Sequence, residues 1–215
     1  MTSGGTDRKS LGRALSGYVS NSMGGGRTAA RRMAPSAQAT GRLANFLTTA
    51  STSGLREALR SVGLERLAGQ PIDVVMRGMT EFICPPGGSI DESIAREAFI
   101  ETLADMAESG ITDLENLSPE QMQTLLESNI AHAIEARICN DIGNNVVALP
   151  DSPEAAESIR DIVYEFVERS TADAFSTSPM GQGLTSQQTQ TAIDHIYELA
   201  FGVLQTLAEA EADKK

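Results

Sequence analysis

The sequence predicts an all-α fold: an irregular helical bundle with a basic, loosely packed N-terminal helical arm. Aromatic residues make up only 4% of the 215 residues and tryptophan is absent. A core must therefore be built from aliphatic side chains, which suit helices better than sheets. Apolar residues recur at spacings of three and four, whereas no strand-like alternation lasts more than a few residues. Composition and periodicity thus both favour helices.

The charges are unevenly distributed along the chain. Residues 1–70 contain ten basic and three acidic residues, and the rest of the chain contains seven basic and 26 acidic ones, for a net charge of −12. Because residues 1–54 are also rich in Ser, Thr, Gly and Ala, we predict a basic arm over 1–54 and an acidic helical domain over 55–215. Such an arm either folds onto the acidic body or reaches another molecule.

Three short helices are predicted within the arm. They cover Ser10–Ser22, Thr28–Met33 and Ser36–Thr49. The three glycines Gly24–Gly26 separate the first two, since each costs about 1 kcal/mol in a helix relative to Ala. Pro35 limits the following turn. The arm has the weakest apolar stripe of the chain, so we expect it to be the least stable part when alone.

The body begins with two predicted amphipathic helices. The first is short and carries its apolar residues between Leu55 and Val62. The second covers Pro71–Ile83, where apolar residues repeat at three and four and proline occupies the first turn. Pro85-Pro86-Gly87-Gly88 ends it.

Capping patterns mark the longer helices that follow. Ser89 is followed three residues later by Glu92, and Ser118 by Gln121, which is the spacing of a capping box. Thr185 is expected to cap the last helix. The other predicted boundaries are a helix start at Ser152-Pro153-Glu154, helix ends at Gly110 and Gly143-Asn144-Asn145, and a loop over Ser178–Gly183.

The two histidines give little support for a metal site. His132 precedes Glu135 by three residues and shares a helix face with it, as in one half of a carboxylate-bridged di-metal site, but a matching half is missing. His195 has Asp194 beside it, and adjacent helical residues do not face each other. We interpret both as ordinary helix-surface histidines.

Neither cysteine looks like a catalytic nucleophile. Cys139 lies two turns after His132, too far along the helix for a nucleophile–base pair, and Cys84 has no basic sequence neighbour to lower its pKa. Counting alone allows a disulfide, but two reduced core thiols are expected. Gly24–Thr28 lacks the preceding strand and the Lys-Ser/Thr ending of a P-loop, so nucleotide binding is not expected. The acidic helix faces are interpreted as solvated surface.

The basic arm also suggests a nucleic-acid hypothesis. Arg27, Arg31 and Arg32 are close in sequence, Arg13 and Arg42 flank them, and guanidinium groups pair well with phosphates. Against this, aromatic residues that stack on bases are nearly absent from the arm, and the acidic body would repel a nucleic-acid backbone. A helical nucleic-acid-binding module is therefore kept as the alternative function.

One region carries a family resemblance. Ser10-Leu11-Gly12-Arg13 is followed by Tyr18-Val19 and then by Gly24–Met33, with its Ala-Ala-Arg-Arg sequence. This region resembles the QatB family, a component of the bacterial four-protein Qat anti-phage defence system. The segments Pro71–Met106 and Ile134–Gly143 fit the same family in character, so the likeness covers nearly the whole chain.

The resemblance implies a non-enzymatic protein that acts beside an ATPase, a QueC-like enzyme (QatC) and a TatD-like nuclease. QueC-like enzymes activate a 7-deazaguanine carboxylate with ATP, and the resemblance implies that QatC binds the QatB protein and joins the deazaguanine to its N-terminus. QatC is thus the main expected partner. Family members carry a longer Gly/Pro-rich N-terminal tail than this chain, so we assign no modification site.

These arguments lead to a set of expectations about contacts and location. No catalytic residue, metal or cofactor is expected. No apolar run approaches the roughly 20 residues that span a bilayer, and the first residues lack the pattern of a signal peptide. We therefore expect a cytoplasmic protein that does not bind membranes. The residues predicted to contact the partner are Arg8, Arg13, Tyr18, Arg27, Arg31 and Arg32.

Overall fold

Helices account for most of the chain. The computed structural model describes the backbone of residues 3–141, 153–177 and 184–212, and the side chains of residues 10–141, 160–177 and 184–206. Within these residues lie ten α-helices, a π-helical segment and a 3₁₀ turn, and no strand. The all-α prediction is confirmed. The α-helices are α1 Ser3–Gly17, α2 Gly26–Arg32, α3 Ala34–Ser53, α4 Leu55–Ser61, α5 Ile72–Gly78, α6 Thr80–Ile83, α7 Ile90–Glu108, α8 Pro119–Asp141, α9 Pro153–Thr177 and α10 Ser186–Ala212.

Two compact units divide the chain, and each combines segments that are distant in sequence. Unit 1 is Met1–Ala34, Ile134–Pro179 and Asp194–Lys215; unit 2 is Pro35–Ala133 and Met180–Ile193. The first 34 residues of the predicted arm belong to unit 1, and the remainder of it belongs to unit 2. The arm over 1–54 and the domain over 55–215, which follow from composition, stay a prediction.

The core of unit 1 includes side chains from the first helical segments. α1 packs against α9 and against the π-helical segment Tyr18–Ser22 that continues it. Val19 and Met23 are fully buried, together with aliphatic and aromatic side chains of the C-terminal helices. Burying apolar side chains of this size is worth roughly 1.5–3 kcal/mol each. The other buried apolar side chains of this unit include Val163, Val167, Phe175, Ile196, Phe201 and Leu204.

The core of unit 2 surrounds a small polar network. The Thr40 hydroxyl donates to Asn129 Oδ1 at 2.7 Å, and the Asn129 amide donates to the hydroxyl of Thr102 at 3.0 Å. All three side chains are at most 2% exposed. Because each of these polar side chains has a hydrogen-bond partner, their burial costs little free energy. The apolar side chains of this core include Leu43, Leu47, Leu59, Met79, Ile83, Phe99 and Ile130.

The helix starts predicted from capping patterns in the body are confirmed. Ser89 and Glu92 form both hydrogen bonds of a capping box at the start of α7. Ser118 and Gln121 form the equivalent pair before α8, and Thr185 with its partner Gln188 does so before α10. The helix predicted from Ser152-Pro153-Glu154 begins at Pro153, and Gly110 follows the end of α7. Ser152, Gly143-Asn144-Asn145 and the loop Ser178–Gly183 lie outside the described residues.

The single helix predicted over Pro71–Ile83 is wrong. Pro71 precedes the helix as its N-cap, and the segment divides into α5 and α6 at Met79. The interruption follows Gly78, a weak helix former. A Cβ atom at Gly78 would lie 2.6 Å from Leu67 Cδ1. The glycine therefore makes room for the 3₁₀ turn Glu65–Leu67 at the point where the helix breaks.

The predicted arm helices form with different boundaries. The first begins seven residues earlier than expected, at Ser3, and its predicted end over Tyr18–Ser22 is π-helical. α2 begins two residues before the predicted Thr28, and α3 extends the predicted Ser36–Thr49 at both ends. Element types were therefore predictable here, while their ends were not.

Candidate functional site

A glycine turn in unit 1 lies directly before α2, the helix with the most basic sequence in the chain. Gly24 and Gly25 have φ angles of 81° and 88°, which side chains with a Cβ atom rarely adopt. The Gly25 N–H donates to Val19 O at 2.8 Å, and Gly25 is the N-cap of α2. The helix break predicted at the three glycines is present at Gly24 and Gly25, whereas Gly26 is already the first residue of α2.

The third glycine allows α2 to approach α10 closely. A Cβ atom at Gly26 would lie 3.1 Å from the backbone nitrogen of Gly202. The Gly26 N–H donates to Gln205 Oε1 at 2.8 Å, and the Ser16 hydroxyl donates to the backbone carbonyl of Gln205. Gln205 therefore joins α1 and α2 to α10. It is 179 residues from Gly26, and no local pattern indicates this contact.

One of the predicted docking residues is engaged in an internal ion pair. Arg27 Nε lies 2.8 Å from Glu198 Oε1, with side-chain exposures of 72% and 37%. The guanidinium of Arg27 lowers the pKa of Glu198, and His195 and Arg31 act in the same direction. This pair is one instance of the first of the two alternatives, in which basic residues of the arm contact acidic residues of the body. An exposed pair of this kind adds little to stability.

Arg27 and Arg31 also line a small cleft between α2 and α10. The cleft has a volume of about 400 Å³. Arginine side chains form one wall, and Asp194 and Glu198 stand on the other, so it carries both signs of charge. Ala30 and Ala34 complete the lining.

Arg31 and Arg32 form the exposed basic end of α2. Both side chains are exposed. Arg32 Nη1 donates to the backbone carbonyl of Ser22 at 3.2 Å, which ties the helix to the segment before the glycine turn. No carboxylate pairs with Arg31 or Arg32 among the residues with described side chains. These two guanidinium groups are therefore the parts of the predicted docking set best placed to meet a partner.

Tyr18, another predicted docking residue, lies in the core of unit 1. It is 4% exposed, and its hydroxyl donates to Asp141 Oδ2 at 2.7 Å. Arg137 Nε donates to the same oxygen at 3.2 Å. Burial, reinforced by the Asp141 carboxylate, raises the pKa of Tyr18 well above its ordinary value. The hydroxyl is thus a neutral donor to a partly buried ion pair.

The remaining two predicted docking residues are on α1. Arg13 is exposed, and the side chain of Arg8 lies outside those that the structure describes. Arg42, which flanks the cluster in sequence, is half-buried in unit 2 and donates to the Ile83 carbonyl at 2.7 Å. Of the predicted residues, the structure therefore brings Arg27, Arg31 and Arg32 together on α2.

The histidine prediction is wrong for His132. Its side chain is only 13% exposed, and Nε2 lies 2.8 Å from Asp105 Oδ2, which also accepts a hydrogen bond from the Ser128 hydroxyl. The partner is on another helix of unit 2, so the spacing of residues within α8 does not indicate it. His195 is exposed, as predicted. No group of three potential metal ligands occurs among the described residues.

Both cysteines are free thiols; Cys84 is buried as predicted, whereas Cys139, also predicted to be a core thiol, is only partly buried. Burial raises the pKa of Cys84 to about 11, although Arg42 and Arg96 lie near enough to oppose the shift. Cys84 has no basic neighbour in the sequence, but the fold brings Arg42 and Arg96 close to it, so the inference from sequence is wrong. Burial and the Glu135 carboxylate raise the pKa of Cys139 to about 12, and its thiol donates to Glu135 Oε1 at 3.1 Å. Neither thiol is activated.

Comparison with known proteins identifies one family. A family model described as "QatB: Qat anti-phage system associated protein QatB" matches residues 24–204. The match covers α2, the glycines before it and Glu198 of α10, and it ends one residue before Gln205. No curated protein and no solved structure matches the chain. None of the described helices has the length and apolar character to cross a membrane.

Proposed function

Because the chain belongs to the QatB family, whose members are Qat anti-phage system associated proteins, we propose that it is the non-catalytic component that binds the QueC-like enzyme QatC. In this proposal it is also the protein substrate to whose N-terminus QatC conjugates a 7-deazaguanine. The Qat ATPase and TatD-like nuclease are further partners.

The observation that carries the proposal is the exposed basic end of α2. Arg31 and Arg32 are solvent-exposed, and the helix that bears them is held by the Gly26–Gln205 hydrogen bond and the glycine turn. Guanidinium groups presented from a fixed helix are suited to paired recognition of carboxylates. An acidic surface on the partner enzyme fits this end of the helix.

Co-purification with the QueC-like enzyme tests the association. We expect the double variant R31E/R32E to lose the complex, because it replaces two attractive charges with two repulsive ones. The matched control is R56E/R66E, which makes the same change in net charge at two exposed arginines of unit 2. Equal loss in both variants would mean that only net charge matters. Retention of the complex by R31E/R32E would refute docking through α2.

A charge swap separates the internal and external roles of Arg27. R27E breaks the pair with Glu198, whereas R27E/E198R allows an ion pair of reversed polarity to form. If Arg27 contacts the partner, the double variant binds the enzyme as poorly as R27E. Recovery of binding in the double variant would assign Arg27 to holding α2 in place.

Intact-mass measurement tests the substrate role. The protein with its natural N-terminus is incubated with the QueC-like enzyme, ATP and a 7-deazaguanine carboxylate. We expect a mass increase that maps to the N-terminal peptide and disappears when ATP is omitted. A stable complex without any mass increase would retain the binding proposal and refute the substrate role.

The nucleic-acid alternative has less support from the same residues. Arg27 is paired with Glu198, and Arg32 and Arg42 each donate to a backbone carbonyl, so several arginines in the hypothesis are already engaged within the protein. Nucleic-acid binding driven by the arm would show steep salt dependence and would weaken in R31E/R32E. No binding at low salt would exclude it.

A further inference from the structure

Unit 2 contains an apolar groove that no proposed activity uses. It lies between α5 and α7 and extends to the residues that follow α7, with a volume of about 700 Å³. This is within the range of cavities that bind ligands or side chains of partners. Its apolar lining includes Ile72, Met76, Ile100, Leu103, Ala107 and Ile111.

The α7 side of the groove is an apolar stripe that faces solvent. Ile100, Leu103, Ala104 and Ala107 recur at helical spacing and all line the groove. Ile100 is 51% exposed, although isoleucine is among the side chains most often buried. Ala104 and Ala107 are exposed as well. Within unit 2, this stripe is left uncovered by the helices that the structure describes.

Two ion pairs make one part of the groove rim electrically neutral. Arg77 Nη2 lies 2.6 Å from Asp73 Oδ2, one turn away on α5. Arg96 Nη2 lies 2.6 Å from Glu81 Oε1. The basic side chains that line the groove are therefore already matched by carboxylates.

A row of acidic residues on α7 runs beside the apolar stripe. Glu97, Glu101 and Glu108 are exposed and are separated by four and seven residues, which places them along one edge of the helix next to Ile100 and Ala104. None of the three forms an ion pair or a side-chain hydrogen bond with a residue whose side chain is described. This edge of the groove thus carries three uncompensated negative charges.

We propose that this groove binds a basic amphipathic helix of a partner protein. The apolar residues of that helix enter the groove between α5 and α7, and lysine or arginine residues on its flank face the acidic row. Helices that dock into grooves are recognised in this way, by apolar anchors at spacings of three, four and seven residues. Charge complementarity along the edge selects the partner and its orientation.

The same charges argue against other occupants. A second copy that docked through this face would bring acidic rows together, and like charges across an interface are unfavourable. Anionic lipids and nucleic acids are repelled for the same reason. The proposal does not depend on QatC, because α2 in unit 1 carries the contact proposed for that enzyme.

Binding of a model helix to the purified full-length chain tests the proposal. The probe is a fluorescently labelled peptide of leucine and lysine, about 14 residues or roughly four helical turns long, with leucines on one face. A second peptide has glutamate in place of each lysine. We expect fluorescence anisotropy to show binding of the lysine peptide and much weaker binding of the glutamate peptide.

Two isoleucines of α7 provide a matched pair of variants for the apolar contact. I100E places a carboxylate in the groove, whereas I90E makes the same change at an isoleucine that is 59% exposed and does not line it. Neither side chain belongs to the core, so both variants should fold. We expect I100E to weaken binding at least about tenfold, equivalent to about 1.4 kcal/mol, and I90E to leave it unchanged. Equal effects of I100E and I90E on peptide binding would refute binding in the groove.

Charge reversal tests the acidic edge. The variant E97K/E101K/E108K should no longer bind the lysine peptide and should bind the glutamate peptide instead. The control reverses three exposed acidic residues on α9, in D161K/E168K/D173K. If this control reverses the preference equally, attraction depends on net charge alone and the proposal fails. A dimer in light scattering that I100E dissociates would instead assign the groove to a second copy and overturn the proposal.

Discussion

Removing one hydroxyl group tests how strongly the partly buried cluster of Tyr18, Asp141 and Arg137 in unit 1 holds the first helical segments. The Tyr18 hydroxyl donates to Asp141 Oδ2 at 2.7 Å, and Tyr18 is 4% exposed. Arg137 donates to the same carboxylate oxygen at 3.2 Å. Tyr18→Phe removes the donor and leaves the aromatic ring in place, so the variant isolates the hydrogen bond from the packing.

The expected magnitude follows from the charge on the acceptor. A hydrogen bond to a charged group contributes about 1.5–3 kcal/mol, and an acceptor left without any partner costs more. Asp141 retains Arg137, so the loss should lie near the lower end, at about 1.5 kcal/mol. For a chain of this size each kcal/mol shifts Tm by about 2–4 °C, which gives a decrease of roughly 3–6 °C.

Urea denaturation followed by circular dichroism measures this loss, and a double-mutant cycle assigns it to the pair. D141A should cost more than Y18F, because it removes the acceptor of two hydrogen bonds, one from the Tyr18 hydroxyl and one from Arg137 Nε. The double variant should cost less than the sum of the two single variants, with a coupling energy of about 1–2 kcal/mol. A Y18F variant within about 0.5 kcal/mol of the parent, with additive energies in the cycle, would refute the argument.

Two further predictions concern the thiols and a helix cap. With pKa values raised to about 11 and 12, Cys84 and Cys139 should react with a disulfide reagent at pH 8 at least about 100-fold more slowly in the folded protein than in urea. The variants C84S and C139S each leave one thiol, so the two reaction rates can be measured separately. Equal rates with and without urea would contradict the prediction. Hydrogen bonds from Ser89 lower the pKa of Glu92, so this carboxylate stabilises the fold above the ordinary pKa of glutamate, and the contribution disappears as pH falls through the lowered value. Glu92→Ala should therefore lower the urea midpoint at pH 7 and lower it less at pH 3, and the opposite order would show that the ionised form does not carry the effect.

The features that sequence predicted correctly have local causes. Ser89 and Glu92 are three residues apart, and the bonds of a capping box join only those residues, so the pattern determines the contact. The glycine turn before α2 is predictable for the same reason. In both cases the groups that interact are neighbours in the chain, so tertiary contacts contribute little to these features.

The features that sequence missed depend on residues far apart in the chain. Gly26 meets Gln205, His132 meets Asp105 on another helix, and Arg42 reaches the Ile83 carbonyl 41 residues away. Each residue looks like an ordinary surface or loop position when only its neighbours are considered. The weak apolar stripe of the arm has a similar explanation, because small residues such as Ala29 are fully buried and a count of large apolar side chains overlooks them.

The opposite charges of the two proposed surfaces bear on how a multiprotein system could use this chain. The α2 surface presents the guanidinium groups of Arg31 and Arg32, and the groove edge on α7 presents three unpaired carboxylates. A partner attracted to one surface is repelled by the other, so the two sites would select different proteins without competing for them. R31E/R32E should then abolish binding of the QueC-like enzyme and leave the affinity for the leucine–lysine peptide within about twofold, while I100E does the reverse. If either variant impairs both interactions in a protein that is still folded, the surfaces are not independent, and the chain has one binding function where we propose two.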